Sequence, residues 1–201
     1  MKEKILTKAS EMFLNLGFKS VTMDDLANEL GISKKTIYTH FENKTKLVEE
    51  SSLYLLKYIS NGIDCIIETD RNPIEELYEI KKFVMKHLND EQSSPQYQLQ
   101  KYYPKVYATI KSKQYDVMQE CVVSNIKKGI EIGIYRENIN IEFISRIYFS
   151  GVTSIKDYKL FPIKLFPVKQ LQDDFLEYHL RGITTPDGRK ILNTLINSNQ
   201  E

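Results

Sequence analysis

From Ser33 to Leu47 the chain carries Lys34, Lys35, Lys44 and Lys46 against one acid, Glu42, with Thr36, Tyr38, Thr39 and His40 set between the cations. Ammonium groups interleaved with hydroxyl and imidazole donors suit a polyanion. They can neutralise or hydrogen-bond phosphate oxygens, lysine can reach guanine O6 and N7, and a threonine methyl can meet thymine. Adjacent lysines alone usually mark a solvated helix face, so the reading depends on their setting. Just upstream, Thr22 can cap a helix whose first turn holds Asp24 and Asp25, where carboxylates favour the positive helix end. Leu26, Ala27 and Leu30 recur at helical spacing, Gly31 ends that helix, and Ser33 caps the next. In this second helix, roughly Lys34 to Phe41, Ile37 and Phe41 form the bulky apolar pair at i, i+4 and must point inward. Lys34, Lys35, Thr36, Thr39 and His40 are left facing outward or sideways. Two short helices joined by a Gly-containing turn make a helix-turn-helix, whose second helix can lie in a DNA major groove.

Other elements must hold that pair in place. Residues 2–17 read as a first helix with Ile5, Ala9, Met12, Phe13 and Leu16 in one apolar stripe and Gly17 as its stop; Phe18 and Val21 cover the same small core. Asn43 can cap a long fourth helix running to about Thr69, with Leu47, Leu53, Leu56, Ile59, Ile63 and Ile66 on its apolar side. Lys44 then sits in its first turn, against the helix dipole, and a DNA phosphate there would reward it. This helix leaves the head and can carry movement into the rest of the chain. Beyond it, Asn72-Pro73, Ser94-Pro95 and Thr185-Pro186 each read as a cap followed by a first-position proline, and Asn140 starts a further helix after the turn Gly133–Glu137. Pro104 inside a helical pattern predicts a kink. The twin-proline segment 160–169 predicts a loop, an unusually apolar one. No convincing alternation calls for a sheet, so the expectation is all-α: three helices in the head and six or seven behind.

The pattern Thr22, Leu26-Ala27, Gly31-Ile32-Ser33, Ile37-Tyr38, His40-Phe41, Asn43-Lys44 and Leu47 resembles the DNA-binding domain of TetR-family bacterial transcriptional regulators, without a gap across about fifty residues. GIEIGIYR at 129–136 and YYPKVY at 102–107 extend the likeness more weakly. The resemblance implies a DNA-binding domain at 1–46 and a helical effector-binding and dimerisation domain at 47–201. Carried over by motif position, it assigns phosphate contacts to Thr22, Tyr38, His40 and Lys44, and base-edge reading to Lys34, Lys35, Thr36 and Thr39. Ser33 belongs to the same DNA-binding set, as the cap at its edge. Lys35 departs from the family habit of a small residue there, so it either reads a base from a helix held further out or binds phosphate. His40 is open to a plainer role, capping or packing.

Behind the head the resemblance implies a pocket for a small hydrophobic or aromatic effector, with Phe83, Tyr103, Tyr107, Tyr115 and Cys121 as candidate lining. The helices near 140–157 and 170–184 are apolar on two faces and are therefore buried on two sides. In the family the corresponding helices pair with their copies. Ile144, Ile147, Tyr148, Gly151, Phe175, Leu176 and Leu180 are the candidate homodimer contacts, with monomer core as the competing explanation. A symmetric dimer would set two recognition helices one helical turn apart on a palindromic operator.

A net charge of +1 over 201 residues gives no global basic field, and residues 1–50 balance eight Lys against eight Asp and Glu. Phosphate contact must come from the local patch, which predicts a moderate salt dependence. Cys65 and Cys121 fall in apolar helical patterns and read as small buried hydrophobes. There is no CxxC, no metal spacing, no nucleophile–base pair and no phosphate-binding glycine loop, so neither an enzyme nor a cofactor is expected. The N-terminus lacks a signal-peptide pattern and no stretch approaches the roughly 20 apolar residues of a membrane helix, which places the protein in the cytoplasm. The leading expectation is a homodimeric repressor released from DNA by an effector. The alternative is a DNA-bound protein whose C-terminal domain docks a protein partner.

Overall fold

Ten α-helices account for the regular structure of the computed structural model, which describes residues 1–88, 95–157 and 159–198. They are α1 (Lys2–Leu16), α2 (Met23–Leu30), α3 (Lys34–Tyr38), α4 (Lys44–Ile67), α5 (Pro73–Leu88), α6 (Pro95–Tyr102), α7 (Pro104–Glu131), α8 (Ile141–Ser154), α9 (Val168–Ile183) and α10 (Pro186–Ser198). Among the described residues there is no strand, only one isolated antiparallel bridge between Tyr135 and Thr184. No described helix is long and apolar enough to cross a membrane. The all-α expectation holds.

The chain divides into two compact units, residues 1–64 with 83–114 and residues 65–82 with 115–201. The core of the first unit joins Ile5, Ala9, Met12 and Phe13 of α1 to Leu26 and Ala27 of α2, Ile37 of α3, Phe41, and Leu47 and Val48 of α4. Leu99 and Val106 belong to it as well, with Tyr103 and Tyr107 packed on its edge. The second unit centres on Ile74, Leu77, Ile134, Tyr135, Leu176, Leu180, Ile183 and Leu192. Inside it Asn125 donates to the Pro73 carbonyl at 2.9 Å and to Glu76 at 2.7 Å, and accepts from the Tyr135 hydroxyl at 3.2 Å. This buried relay lets a carboxylate and a phenol share the interior.

Caps fall where local chemistry put them. Asn72 accepts from the backbone of Ile74 and Glu75, Asn140 from Phe143, and Thr185 from Gly188. The cap expected of Ser94 lies outside the described residues. The kink expected at Pro104 is a helix boundary instead: α6 stops at Tyr102 and Pro104 opens α7, where its missing N–H costs nothing. The loop expected at 160–169 ends two residues early, because Val168 already begins α9. Cys65 is exposed rather than buried, and Cys121 is half-buried.

The segment that follows α7 is joined by main-chain groups to the end of α9 and to the residue before α10. Arg136 N–H donates to the Ile183 carbonyl at 2.8 Å and Thr185 N–H to the Ile134 carbonyl at 2.9 Å. Gly133 takes a positive φ of 76° at the turn, and Gly188 lies so close to the Ile134 carbonyl that a Cβ would collide with it.

Candidate nucleic-acid interface

Thr22 and Asp25 form a reciprocal capping box. The Thr22 hydroxyl accepts from Asp25 N–H at 3.1 Å, while Thr22 N–H and Oγ1–H both donate to Asp25 Oδ2 at 2.8 Å. Those bonds to Thr22 hold the Asp25 carboxyl below its usual range. α2 ends at Gly31 in the left-handed conformation, φ 62° and ψ 32°, and the chain turns directly into α3.

Ser33 caps α3, accepting from Thr36 N–H at 3.1 Å, with its hydroxyl 2.9 Å from that of Thr36. The helix is shorter than expected. It ends at Tyr38, where the Thr39 hydroxyl donates back to the Thr36 carbonyl at 2.7 Å and His40 N–H reaches only to Ile37. Ile37 at 0% exposure and Phe41 at 1% anchor this short element in the head core, as the i, i+4 pairing required. Each fully buried side chain of that size contributes about 1.5–3 kcal/mol, far more than five residues of helix propensity could.

The outward side holds the candidate DNA residues. Thr22, Ser33, Lys34, Lys35, Tyr38 and Thr39 are exposed, while Thr36, His40 and Lys44 are half-buried. Lys35 and Tyr38 hold no side-chain hydrogen bond among the described residues, so both remain available to a ligand. Lys34 is different: its ammonium lies 2.7 Å from Asp24 of α2, and that hydrogen bond raises its pKa. Solvent screens an exposed pair of this kind, so it gives way readily to a phosphate. His40 sits beside Phe41, ring centres 6.3 Å apart, in keeping with a packing role.

Lys44 is rewarded within the protein. Its ammonium donates to the Lys19 carbonyl at 3.2 Å, stapling the first turn of α4 to the loop after α1. Partial burial lowers its pKa, opposed by the charge of Asp25. The capping box and this staple were readable in part, since Thr22 and Asp25 stand three apart. Nothing in the spacing pointed to Lys19.

The residues proposed for an effector distribute over both units. Phe83 lies against Gly62, stacks with Tyr58 and meets the His87 ring at a tilt; Tyr103 and Tyr107 pack on the head core. Tyr115 meets the Phe149 ring edge-on at 5.1 Å in the second unit, where Cys121 is half-buried. Among the candidate dimer residues, Leu176 and Leu180 are consumed by the second unit's own core at 2% and 0% exposure. Tyr148 packs with its ring tilted against Phe175 and His179, and Phe175 lies over Gly151. Ile144 packs on the same core from its edge. Ile147 is exposed, and so are Phe143 and Tyr178, which the two-faced pattern did not single out.

Residues 5–51 match the family model of bacterial regulatory proteins, tetR family. The chain is 23% identical over 197 residues to the HTH-type transcriptional repressor KstR2 of Mycolicibacterium smegmatis, covering 94% of this chain and 93% of that protein. It is 32% identical over 79 residues to the biofilm operon icaADBC HTH-type negative transcriptional regulator IcaR of Staphylococcus aureus strain Newman, 39% of this chain and 42% of that one. A putative transcriptional regulator from Saccharomonospora viridis, solved in complex with choline, shares the fold with a TM-score of 0.72 at 16% identity, over 92% of this chain and 97% of that one. The capped helix-turn-helix with its cationic outer face thus lies wholly within the stretch that matches the tetR-family model, and the chain as a whole shares its fold with solved transcriptional regulators.

Proposed function

We propose that the protein is a homodimeric cytoplasmic repressor that leaves a palindromic operator when a small effector binds. In this reading residues 1–46 read DNA, and residues 47–201 carry effector response and dimerisation. The observation that carries it is the α2–α3 unit: an inner side wholly buried through Ile37 and Phe41, and an outer side offering Lys35, Tyr38 and Thr39. Phosphate contacts fall to Thr22, Tyr38, His40 and Lys44, and base reading to Lys34, Lys35, Thr36 and Thr39, with Ser33 fixing the helix start. Repression is favoured by the names of both curated relatives, a repressor and a negative regulator. The choline complex of a protein of the same fold supports a small ligand, and Tyr115 and Cys121 are the contacts we assign to it in the second unit.

For the dimer, Phe143, Ile147 and Tyr178, at 58%, 49% and 77% exposure, are better contacts than the core residues Leu176 and Leu180. Large exposed side chains on neighbouring helices are the kind of patch that a second copy covers. Effector binding would favour a state whose heads are wrongly spaced for the operator.

The test is selection from a random duplex pool at low salt, followed by stoichiometry on the recovered site. A palindrome bound by two chains is expected, with Lys44→Ala binding weakly and Ile147→Asp dissociating the dimer. Failure to enrich any sequence would overturn the reading.

A further inference from the structure

The loop between α1 and α2 is gripped from both sides. Gly17 takes a φ of 88°, and Gln98 of α6 occupies the space that a Cβ on Gly17 would need. Gln98 Oε1 also accepts from Lys19 N–H at 3.3 Å, while the Lys19 carbonyl accepts from Lys44 at 3.2 Å. Leu99 of α6 is buried in the head core, and Tyr103 lies 6.4 Å from the Phe18 ring. α6 is thus bolted to the head at the loop that the phosphate-binding candidate Lys44 reaches from the first turn of α4.

That junction exposes cations. The Lys19 ammonium lies 5.2 Å from the Tyr102 ring centre, and the Lys101 ammonium lies 5.5 Å from the same ring. A ring face attracts a cation but neutralises nothing. Lys2, Lys8, Lys34 and Lys46 each have a carboxylate within 4.0 Å, whereas Lys19 and Lys101 have none among the described residues. Two exposed, uncompensated ammonium groups held beside one tyrosine are arranged for an external anion.

Resting on the DNA-binding reading, we propose that Lys19 and Lys101 form a second phosphate-contact strip, which takes the DNA backbone flanking the bases read by α3. Tyr102 spaces the two ammonium groups, and Gln98 holds the strip in register with Lys44. The strip adds affinity without sequence preference, because phosphates carry no base information.

The experiment uses the full-length protein and the operator recovered by selection, in a long duplex and in one trimmed to the palindrome. Binding is measured across a salt series for the wild type, Lys19→Gln, Lys101→Gln and the double variant. Lys82→Gln, an exposed lysine of the second unit, is the charge control. On the long duplex, removal of each ammonium–phosphate pairing should flatten the log K against log salt slope by about 0.9, with the ranking of operator variants preserved. Trimming the flanks should bring wild type and variants together, and Lys19→Arg with Lys101→Arg should restore the slope. Slopes for the double variant matching wild type and Lys82→Gln on the long duplex would overturn the strip alone. A wild type that binds no duplex at low salt would instead overturn the DNA-binding reading. A melting temperature lowered in the Gln variants but with no recovery by Arg would assign both lysines to folding and overturn the strip.

Discussion

His179 should make the second unit acid-sensitive in a way that one substitution removes. Its ring is buried between Tyr148, 4.6 Å away, and Phe175, 6.5 Å away, and its Nε2 has no hydrogen-bond partner among the described residues. Burial depresses its pKa from 6.5 to about 4. The unfolded chain therefore binds a proton that the folded chain refuses between those two values, so stability falls as pH falls through that window. A shift of this size corresponds to roughly 3 kcal/mol once pH is below the folded pKa, of which about 2 kcal/mol is gone by pH 5. Against a total stability of about 5–15 kcal/mol that is a large fraction. The assay is denaturant unfolding of the wild type and His179→Leu at intervals between pH 7.5 and 4.5. Carboxylate titrations common to both cancel in the difference, which isolates the imidazole. The expected result is a difference that grows toward acid in favour of Leu. A difference independent of pH would refute the reasoning and mean that the ring protonates in the folded state as readily as in the unfolded one.

Other perturbations have equally definite signs. Asp24→Asn frees Lys34 and removes a negative charge from the outer side of the helix-turn-helix; binding to specific and nonspecific duplexes should both strengthen severalfold by anisotropy, and weaker binding would count against the pairing. Gly151→Ala drives a methyl into the Phe175 ring and should cost about 1–3 kcal/mol in denaturant unfolding. Thr22→Ala removes the cap of α2 and should cost about 1 kcal/mol, with Thr22→Ser restoring it. The Asp25 side of that cap is present above its unfolded pKa and lost as pH falls through its lower folded value, so Asp25→Asn should flatten the acid limb of the unfolding profile.

Features that a few adjacent residues decide were readable from the chain. Thr22, Ser33, Asn43, Asn72, Asn140 and Thr185 all cap helices, because a short side chain reaches a backbone N–H two or three residues on and needs no distant partner. The inward turn of Ile37 and Phe41 was legible for the same reason. Partnerships across long separations were not. Lys44 with Lys19, Gln98 with the loop after α1, and Asn125 with Glu76 join positions 25, 79 and 49 residues apart, and no periodicity reports on them. A helix apolar on two faces likewise hides which face meets its own core. Leu176 and Leu180 carried the stronger apolar signal and are core, while Ile147, Phe143 and Tyr178 are left uncovered. At Pro104 the residue type was read correctly and its effect was not, since a proline inside a helix and one opening the next look alike in sequence.

The junction of α7, α9 and α10 combines a few fixed side chains, Gly133, Gly188 and Thr185, with main-chain ties that ignore side-chain identity. Its ties run between the main-chain groups of Arg136 and Ile183 and of Thr185 and Ile134, so most replacements at Arg136 or Ile183 leave the bonds themselves in place. Chain length is a stricter condition. One residue inserted between 131 and 136 would shift every donor past its acceptor and turn the buried Tyr135 away from Asn125. Related sequences can therefore vary at exposed positions such as Arg136 while keeping the corner's spacing and its two glycines, and a gap there in an alignment would mark a second unit built differently.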